Sequence, residues 1–256
     1  MNKALLAVVA VLLALPVWTP PVAAELVIGS GRKEPFVTPD GSGFYDLLVK
    51  ALFGRLGIEA RCVKLPSERA LINADAGIDD GNIARIEGLE ARYPNLVRVP
   101  GKILDFEFMA FASDTDFKVA GWDSLVPYNI GFITGWKIFE ANIVRARSIT
   151  RVRSPGQLFT LLDHGRADIV MFDRLGGNWW IRAHGVAAHA LEPPVAVREM
   201  FLYLNKKHAA LVPRIDAALE QMRHDGEYQR IYDQVLTPLL GDSGLSRSDG
   251  QRAAWR

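Results

Sequence analysis

One cysteine, Cys62, stands in 256 residues, so the chain cannot close a disulfide on itself and must be held by packing and hydrogen bonding. Neither sign of charge dominates: 30 lysines and arginines face 29 acids. That balance gives no broad field for a polyanion, which excludes a nucleic-acid partner. Metal-binding spacing is also missing. His184 and His189 are the closest histidine pair and have no third ligand, and Asp80-Gly81 with Glu87 copies only half of a calcium loop, since Ala76 and Ile78 stand where oxygen donors are needed. Gly29-Ser30-Gly31-Arg32-Lys33 lacks the spacing of a phosphate loop, and Gly241-Asp242-Ser243-Gly244 has no histidine paired with it in any protease-like pattern. No cofactor, metal or catalytic set is expected. Cys62 lies in an alternating stretch and is expected to be a buried structural thiol.

Long apolar runs are absent too, except at residues 4–16, which follow Lys3 and precede the small residues Val22-Ala23-Ala24. The run is shorter than the roughly 20 residues a spanning helix needs. Residues 1–24 therefore read as a signal peptide cleaved before Glu25, and the product is expected in the periplasm. Removing Lys3 and no acid leaves 29 basic against 29 acidic residues. Residues 241–256 are polar, poor in branched apolar side chains, and expected to be disordered.

What the chain does contain is a repeated phrase. Gly77-Ile78-Asp79-Asp80 and Gly165-Arg166-Ala167-Asp168 are each a Gly-x-x-Asp that closes an amphipathic stretch and opens an apolar run. Glycine takes the left-handed conformation that ends a helix, and the following residues enter a strand. Helix then strand, repeated, builds parallel sheet. Around the first phrase, residues 25–30 read as a strand, 43–56 as a helix ended by Gly57, and 58–65 as a second strand, in βαβ order. Around the second, strand 129–133, helix 136–144, strand 149–152 and strand 168–172 follow the same rhythm. Residues 87–92 suggest a short helix, residues 106–112 and 198–204 are extended, and helices are expected at 209–224 and 227–236.

Several phrases then line up in a known order. Glu34-Pro35-Phe36, the helix starting Gly43-Phe44-Tyr45-Asp46-Leu47-Leu48, the two Gly-x-x-Asp turns, Gly131-Phe132-Ile133-Thr134-Gly135, and residues 218–228 together resemble the bacterial extracellular solute-binding proteins of family 3. These serve polar amino acid ABC transporters. The resemblance covers nearly all of residues 25–240 and implies an α/β chain of two Rossmann-like lobes joined by two crossover strands, the type 2 periplasmic binding protein fold. Residues 25–110 and 200–240 would form one lobe and residues 111–199 a second, inserted in the first. It also implies a monomer that closes on a small-molecule ligand, an amino acid or related zwitterion, and presents it to a membrane ABC permease.

The family's site, carried onto this sequence, gives Arg85 as the fork for a ligand carboxylate, with Arg69 as a second choice and Asn82 at a strand end. In the second lobe it gives the backbone of Thr134 and Gly135. Trp136 stands where many members carry threonine, which departs from the pattern, and is read either as a stacking surface or as a helix cap. Asp173 would meet the ligand's ammonium, and Phe36 would be an aromatic wall or plain core. The alternatives are a periplasmic enzyme on the same scaffold, similar to cyclohexadienyl dehydratase, with Glu34, Asp46 or Asp173 as acid or base, and a sensory ligand receptor.

Overall fold

A computed structural model describes residues 25–240; the expected signal peptide and tail lie outside the described residues. The chain forms β1 (Leu26–Ser30), α1 (Phe44–Gly54), β2 (Ala60–Lys64), α2 (Ser67–Asp75) and β3 (Gly81–Arg85), then a long strand β4 (Leu96–Ala112). A second set follows: β5 (Asn129–Ile133), α3 (Lys137–Asn142), β6 (Ser148–Val152), α4 (Pro155–Asp163), β7 (Ile169–Asp173) and α5 (Arg174–His184). A second long strand, β8 (His189–Asn205), leads back to α6 (Val212–His224) and α7 (Glu227–Val235). No helix among the described residues is long and apolar enough to cross a membrane.

The eight strands among the described residues join in the order β2-β1-β3-β8-β4-β7-β5-β6. Read from either end the arrangement is the same: three parallel strands with the first-formed one in the middle, then one antiparallel strand arriving from the other half. β4 and β8 run antiparallel to each other from Leu96 opposite Asn205 to Ala112 opposite His189, so they carry the chain between the halves. These are the two crossover strands, and each half is one lobe.

The Gly-x-x-Asp phrases do the same mechanical task in both lobes. Gly77 and Gly165 take φ of +73° and +61°, the left-handed turn that stops α2 and α4. Asp80 N–H then donates to the Val27 carbonyl at 2.8 Å while its carboxylate accepts the Val27 amide at 2.8 Å. Asp168 repeats this on Asn129, at 2.9 and 2.8 Å. Each aspartate thus pins the start of its lobe's central strand and sets its register.

Packing follows the apolar spacing of the helices. Phe44, Leu48 and Leu52 of α1 and Ile215, Leu219 and Met222 of α6 are buried in the main core. In the second lobe Phe111, Phe159 and Phe172 pack edge to face under α4. Gly177 of α5 lies against the Phe111 ring so closely that a Cβ there would fall 2.2 Å from a ring carbon.

Some elements differ from expectation at their ends. The helix expected at 136–144 is α3, six residues long, because Trp136 leaves helical geometry with ψ of 88° and Ile143 ends it with ψ of 73°. The helix expected to begin at residue 209 begins at Val212 after a 3₁₀ turn at Lys206–Leu211, where Pro213 sets the first turn. The short helix near 87–92 is a 3₁₀ turn, Leu89–Ala91. Helix α5 has no counterpart in the sequence reading, because its Gly176-Gly177 pair interrupts the periodic pattern. Cys62 is half-buried; its thiol faces inward to the Tyr45 carbonyl at 3.4 Å, and burial pushes its pKa well up.

Candidate functional site

The ends of the parallel strands decide what meets between the lobes. The residues at or just beyond the carboxyl ends of β1, β2, β3, β5 and β7 include Arg32, Ser67, Arg85, Trp136 and Asp173. Side chains at such ends are where open α/β sheets hold ligands.

Arg32 of the first lobe reaches Asp173 of the second, Nη1 to Oδ2 at 3.4 Å, with side chains 19% and 3% exposed. The guanidinium carbon lies 4.2 Å from the centre of the Phe106 ring and 4.7 Å from that of Trp136. Two aromatic faces therefore hold one cation, a contact that strengthens as water is excluded. Trp136 is itself fixed by stacking on Phe172 at 4.8 Å and on Phe139 at 5.4 Å. Asp173 caps α5, accepting the Gly176 amide at 2.8 Å through its other oxygen. Burial raises its pKa, and Arg32 and the Gly176 amide oppose that shift.

Arg85 is set by a bulge. The pairing of β3 with β8 slips between Ile83 and Arg85, and Ala84 between them has φ of +65°. Nη1 of Arg85 donates to Ser67 Oγ at 2.9 Å and Nη2 to the Ser67 carbonyl at 2.8 Å, while Nε donates to Asn82 Oδ1. Three of its five N–H groups are thus fixed, leaving one on each terminal nitrogen. Burial, with Arg32 adding to it, lowers its pKa to about 10.

The other expected residues fall in several places. Asn82 is buried beneath α2, where its carbonyl orients Arg85 and its amide nitrogen lies beside Gly29 and Asp79. Arg69 is exposed on α2 and has no hydrogen-bonded partner among the described residues. Phe36 is 1% exposed, stacked on Tyr45 at 5.0 Å and tilted against Phe106 at 5.3 Å, so it backs the Phe106 wall from the core. Thr134 and Gly135 are exposed, but their amides are occupied: Thr134 N–H by the Val152 carbonyl at 2.9 Å and Gly135 N–H by Glu140 at 2.7 Å.

The structure joins Trp136 and Asp173 to the first lobe through Arg32, sets Arg85 on Asn82 and Ser67, and adds Arg32, Phe106 and Ser67, which the sequence reading did not place at the site. Arg32 had a signal: it follows the end of the first strand, where a ligand-facing loop belongs. Of the acids considered for catalysis, Asp46 accepts the amides of Thr38 and Gly43 at 2.9 and 3.2 Å and holds the start of α1. Asp173 is paired as described. Glu34 is half-exposed and has no hydrogen-bonded partner among the described residues.

No protein-family model matches the chain. Among curated sequences, a Shewanella oneidensis protein described only as uncharacterized is 22% identical over 198 residues, spanning 74% of this chain and 75% of that one. Solved structures align over most of its length. The ligand-binding core of GluR0 in complex with L-glutamate gives a TM-score of 0.71 at 16% identity, covering 84% of this chain and 99% of that one. A histidine kinase sensor domain with similarity to periplasmic binding proteins gives 0.70 at 18%, covering 83% and 96%. The chain has the type 2 periplasmic binding protein fold. The substrate-binding protein of an amino acid ABC transporter shares that fold, at a TM-score of 0.66 and 15% identity over 84% of this chain and all of that one. In this fold the junction of Arg32, Arg85, Trp136 and Asp173 lies between the two lobes.

Proposed function

We propose that the protein is a periplasmic solute receptor that closes its two lobes on a small carboxylate-bearing solute and delivers it to a membrane ABC permease. The lobes would be residues 25–110 with 200–240, and residues 111–199. The observation that carries this reading is the Arg85 fork: a half-buried arginine fixed by Ser67 and Asn82 beside the lobe junction, with two N–H groups left for a planar anion. Amino acids and related zwitterions are the first compounds to test, as the names of the structural neighbours suggest. Binding works by differential contact with the closed state, which shifts the population toward it.

Thermal unfolding of the mature protein against amino acids, organic acids, polyamines and sugars tests the proposal. A guest at one hundred times its dissociation constant stabilises by about 2.7 kcal/mol, and at roughly 2–4 °C per kcal/mol the midpoint rises visibly. A panel with no shift, and no compaction in solution scattering, would sink the receptor reading. Asp46 and Asp173 are both engaged and Glu34 is not, so turnover of prephenate or arogenate that is lost in Glu34→Gln would favour the enzyme reading instead. Likeness to a kinase sensor domain keeps signalling open as the downstream use of the same binding event; loss of solute uptake on deleting the gene separates import from sensing.

A further inference from the structure

The junction between the lobes is rich in donors and poor in acceptors. Arg32 has one hydrogen bond from its guanidinium, to Asp173, and Arg85 has three, so each keeps N–H groups for a guest. Apart from Glu34, the nearby carboxylates are taken. Asp173 Oδ2 faces Arg32 and Oδ1 accepts the Gly176 amide; Glu140 holds the Gly135 amide and Lys137; Glu107 and Glu192 both hold Arg174. Arg32, Arg85 and Asp173 together carry one net positive charge. A zwitterion leaves that charge in place, whereas a guest with one carboxylate and no cation neutralises it.

The position of Arg32 is built rather than incidental. Its guanidinium sits between Phe106 and Trp136, and Trp136 is locked in turn by Phe172 and Phe139. An ammonium that sought Asp173 would have to displace a cation already desolvated on two rings, and would leave that cation without its carboxylate.

We propose that Arg32 is a resident cation filling the place beside Asp173, so that the cleft selects carboxylates lacking an ammonium over the corresponding α-amino acids. This rests on the receptor reading and narrows the guest within it. The first lobe then recognises its guest through Arg32 and Arg85, and the second lobe through the Trp136 face. Glu34, two residues along, is half-exposed and has no hydrogen-bonded partner among the described residues, so it is the competing seat for an ammonium.

Matched pairs supply the test: L-phenylalanine with 3-phenylpropanoate, L-leucine with 4-methylpentanoate, L-glutamate with glutarate, L-arginine with 5-guanidinopentanoate. Each is titrated calorimetrically into the mature protein and into Arg32→Gln and Arg32→Met variants whose melting confirms folding. For the pair that binds, the unmodified protein should prefer the ammonium-free member by about tenfold or more. Both Arg32 variants should move that ratio toward the amino acid by a similar factor, since Asp173 becomes available. Equal or tighter binding of the amino acid by the unmodified protein overturns the inference while leaving the receptor reading intact. So does an unchanged ratio in the Arg32 variants, or a loss of amino acid binding in Glu34→Gln. Should no member of any pair bind while another compound of the wider panel does, this inference falls and the receptor reading stands.

Discussion

Two glycines in helices, Gly54 and Gly177, should respond to the same substitution with opposite sign. At Gly177 an added Cβ meets three ring atoms of Phe111 at 2.2, 2.6 and 2.9 Å. Phe111 is fully buried and packs edge-on against Phe159 at 6.0 Å, so the ring has nowhere to retreat. Overpacking of a core of this kind destabilises by about 1–3 kcal/mol, and a clash this deep belongs at the upper end. Alanine in place of glycine returns about 1 kcal/mol through helix propensity. Gly177→Ala is therefore expected to lose about 2 kcal/mol, which lowers the midpoint by roughly 4–8 °C. At Gly54, the last residue of α1, a Cβ meets nothing within 4 Å, so Gly54→Ala should gain about 0.5–1 kcal/mol. Differential scanning calorimetry of both variants and of Gly177→Ala/Phe111→Leu decides the matter. The double variant should melt above Gly177→Ala, since the shorter side chain vacates the contested space. A Gly177→Ala protein melting at or above the unmodified one would refute the reasoning. The contact also bears on binding, because Gly177 and Asp173 share the first turn of α5, and a displaced α5 carries Asp173 away from Arg32.

Arg85→Ala should weaken binding of whichever guest the panel identifies by at least tenfold, with Arg85→Lys recovering part of the loss because an ammonium cannot reproduce the fork; calorimetric titration reads both. Asp168→Ala leaves the Asn129 amide without its side-chain acceptor and should cost about 1–3 kcal/mol in urea unfolding. Asp80 has the matching role and gives a pH dependence. Burial alone would raise its pKa, but Lys207, the Val27 amide and His208 outweigh that and lower it. Its stabilisation is therefore present above the ordinary carboxylate value and is lost as pH falls through the lowered one. The stability gap between the unmodified protein and Asp80→Asn should narrow below about pH 4, and a gap that widens in acid would contradict the assignment. Ala84→Val forces a β-branched residue to φ of +65° and should destabilise by about 1–3 kcal/mol in the same assay.

The parallel-sheet order of each lobe was legible because Gly77 and Gly165 punctuate the apolar periodicity so clearly. What the sequence could not reveal is why each aspartate follows: Asp80 and Asp168 reach back to partners 53 and 39 residues earlier in the chain. Separation along the chain hides such partners. The same holds at the junction. Arg85 and Asp173 were named because the family resemblance carries over to them, whereas the cation between Phe106 and Trp136 depends on three residues from three parts of the chain that become neighbours only when the sheet is assembled. Helix α5 was missed for a local reason. Gly176 and Gly177 read as breakers, yet they are needed there because Asp173 and Phe111 leave no room for a side chain. Thr134 and Gly135 show the converse, since a turn before a helix suggests open amides, and only the tertiary structure shows Glu140 and Val152 already bound to them.

Where the lobes bend can be argued from the ladder between β4 and β8. Its register slips at three places in β4: between Arg98 and Lys102, between Lys102 and Leu104, and between Phe108 and Ala110. Irregular pairing is where a long strand flexes most easily, so each is a possible pivot. The last is locked. Arg174, with a side chain 6% exposed, donates to Glu107 on one side of that irregularity and, at 2.6 and 3.0 Å, to Glu192 of β8, which lies opposite its other side. Rotation there would strip a buried guanidinium of one carboxylate, a loss of about 3–5 kcal/mol when such a pair is broken outright. The bend is therefore expected at residues 98–104, leaving Arg174 and its two acids moving as one piece. Hydrogen exchange with and without the identified guest reads this directly. Protection should change at residues 98–104 and stay constant at 107–110, and Glu192→Gln should loosen the second region without the guest. Guest-dependent exchange confined to residues 107–110 would place the pivot at the locked irregularity and defeat the argument.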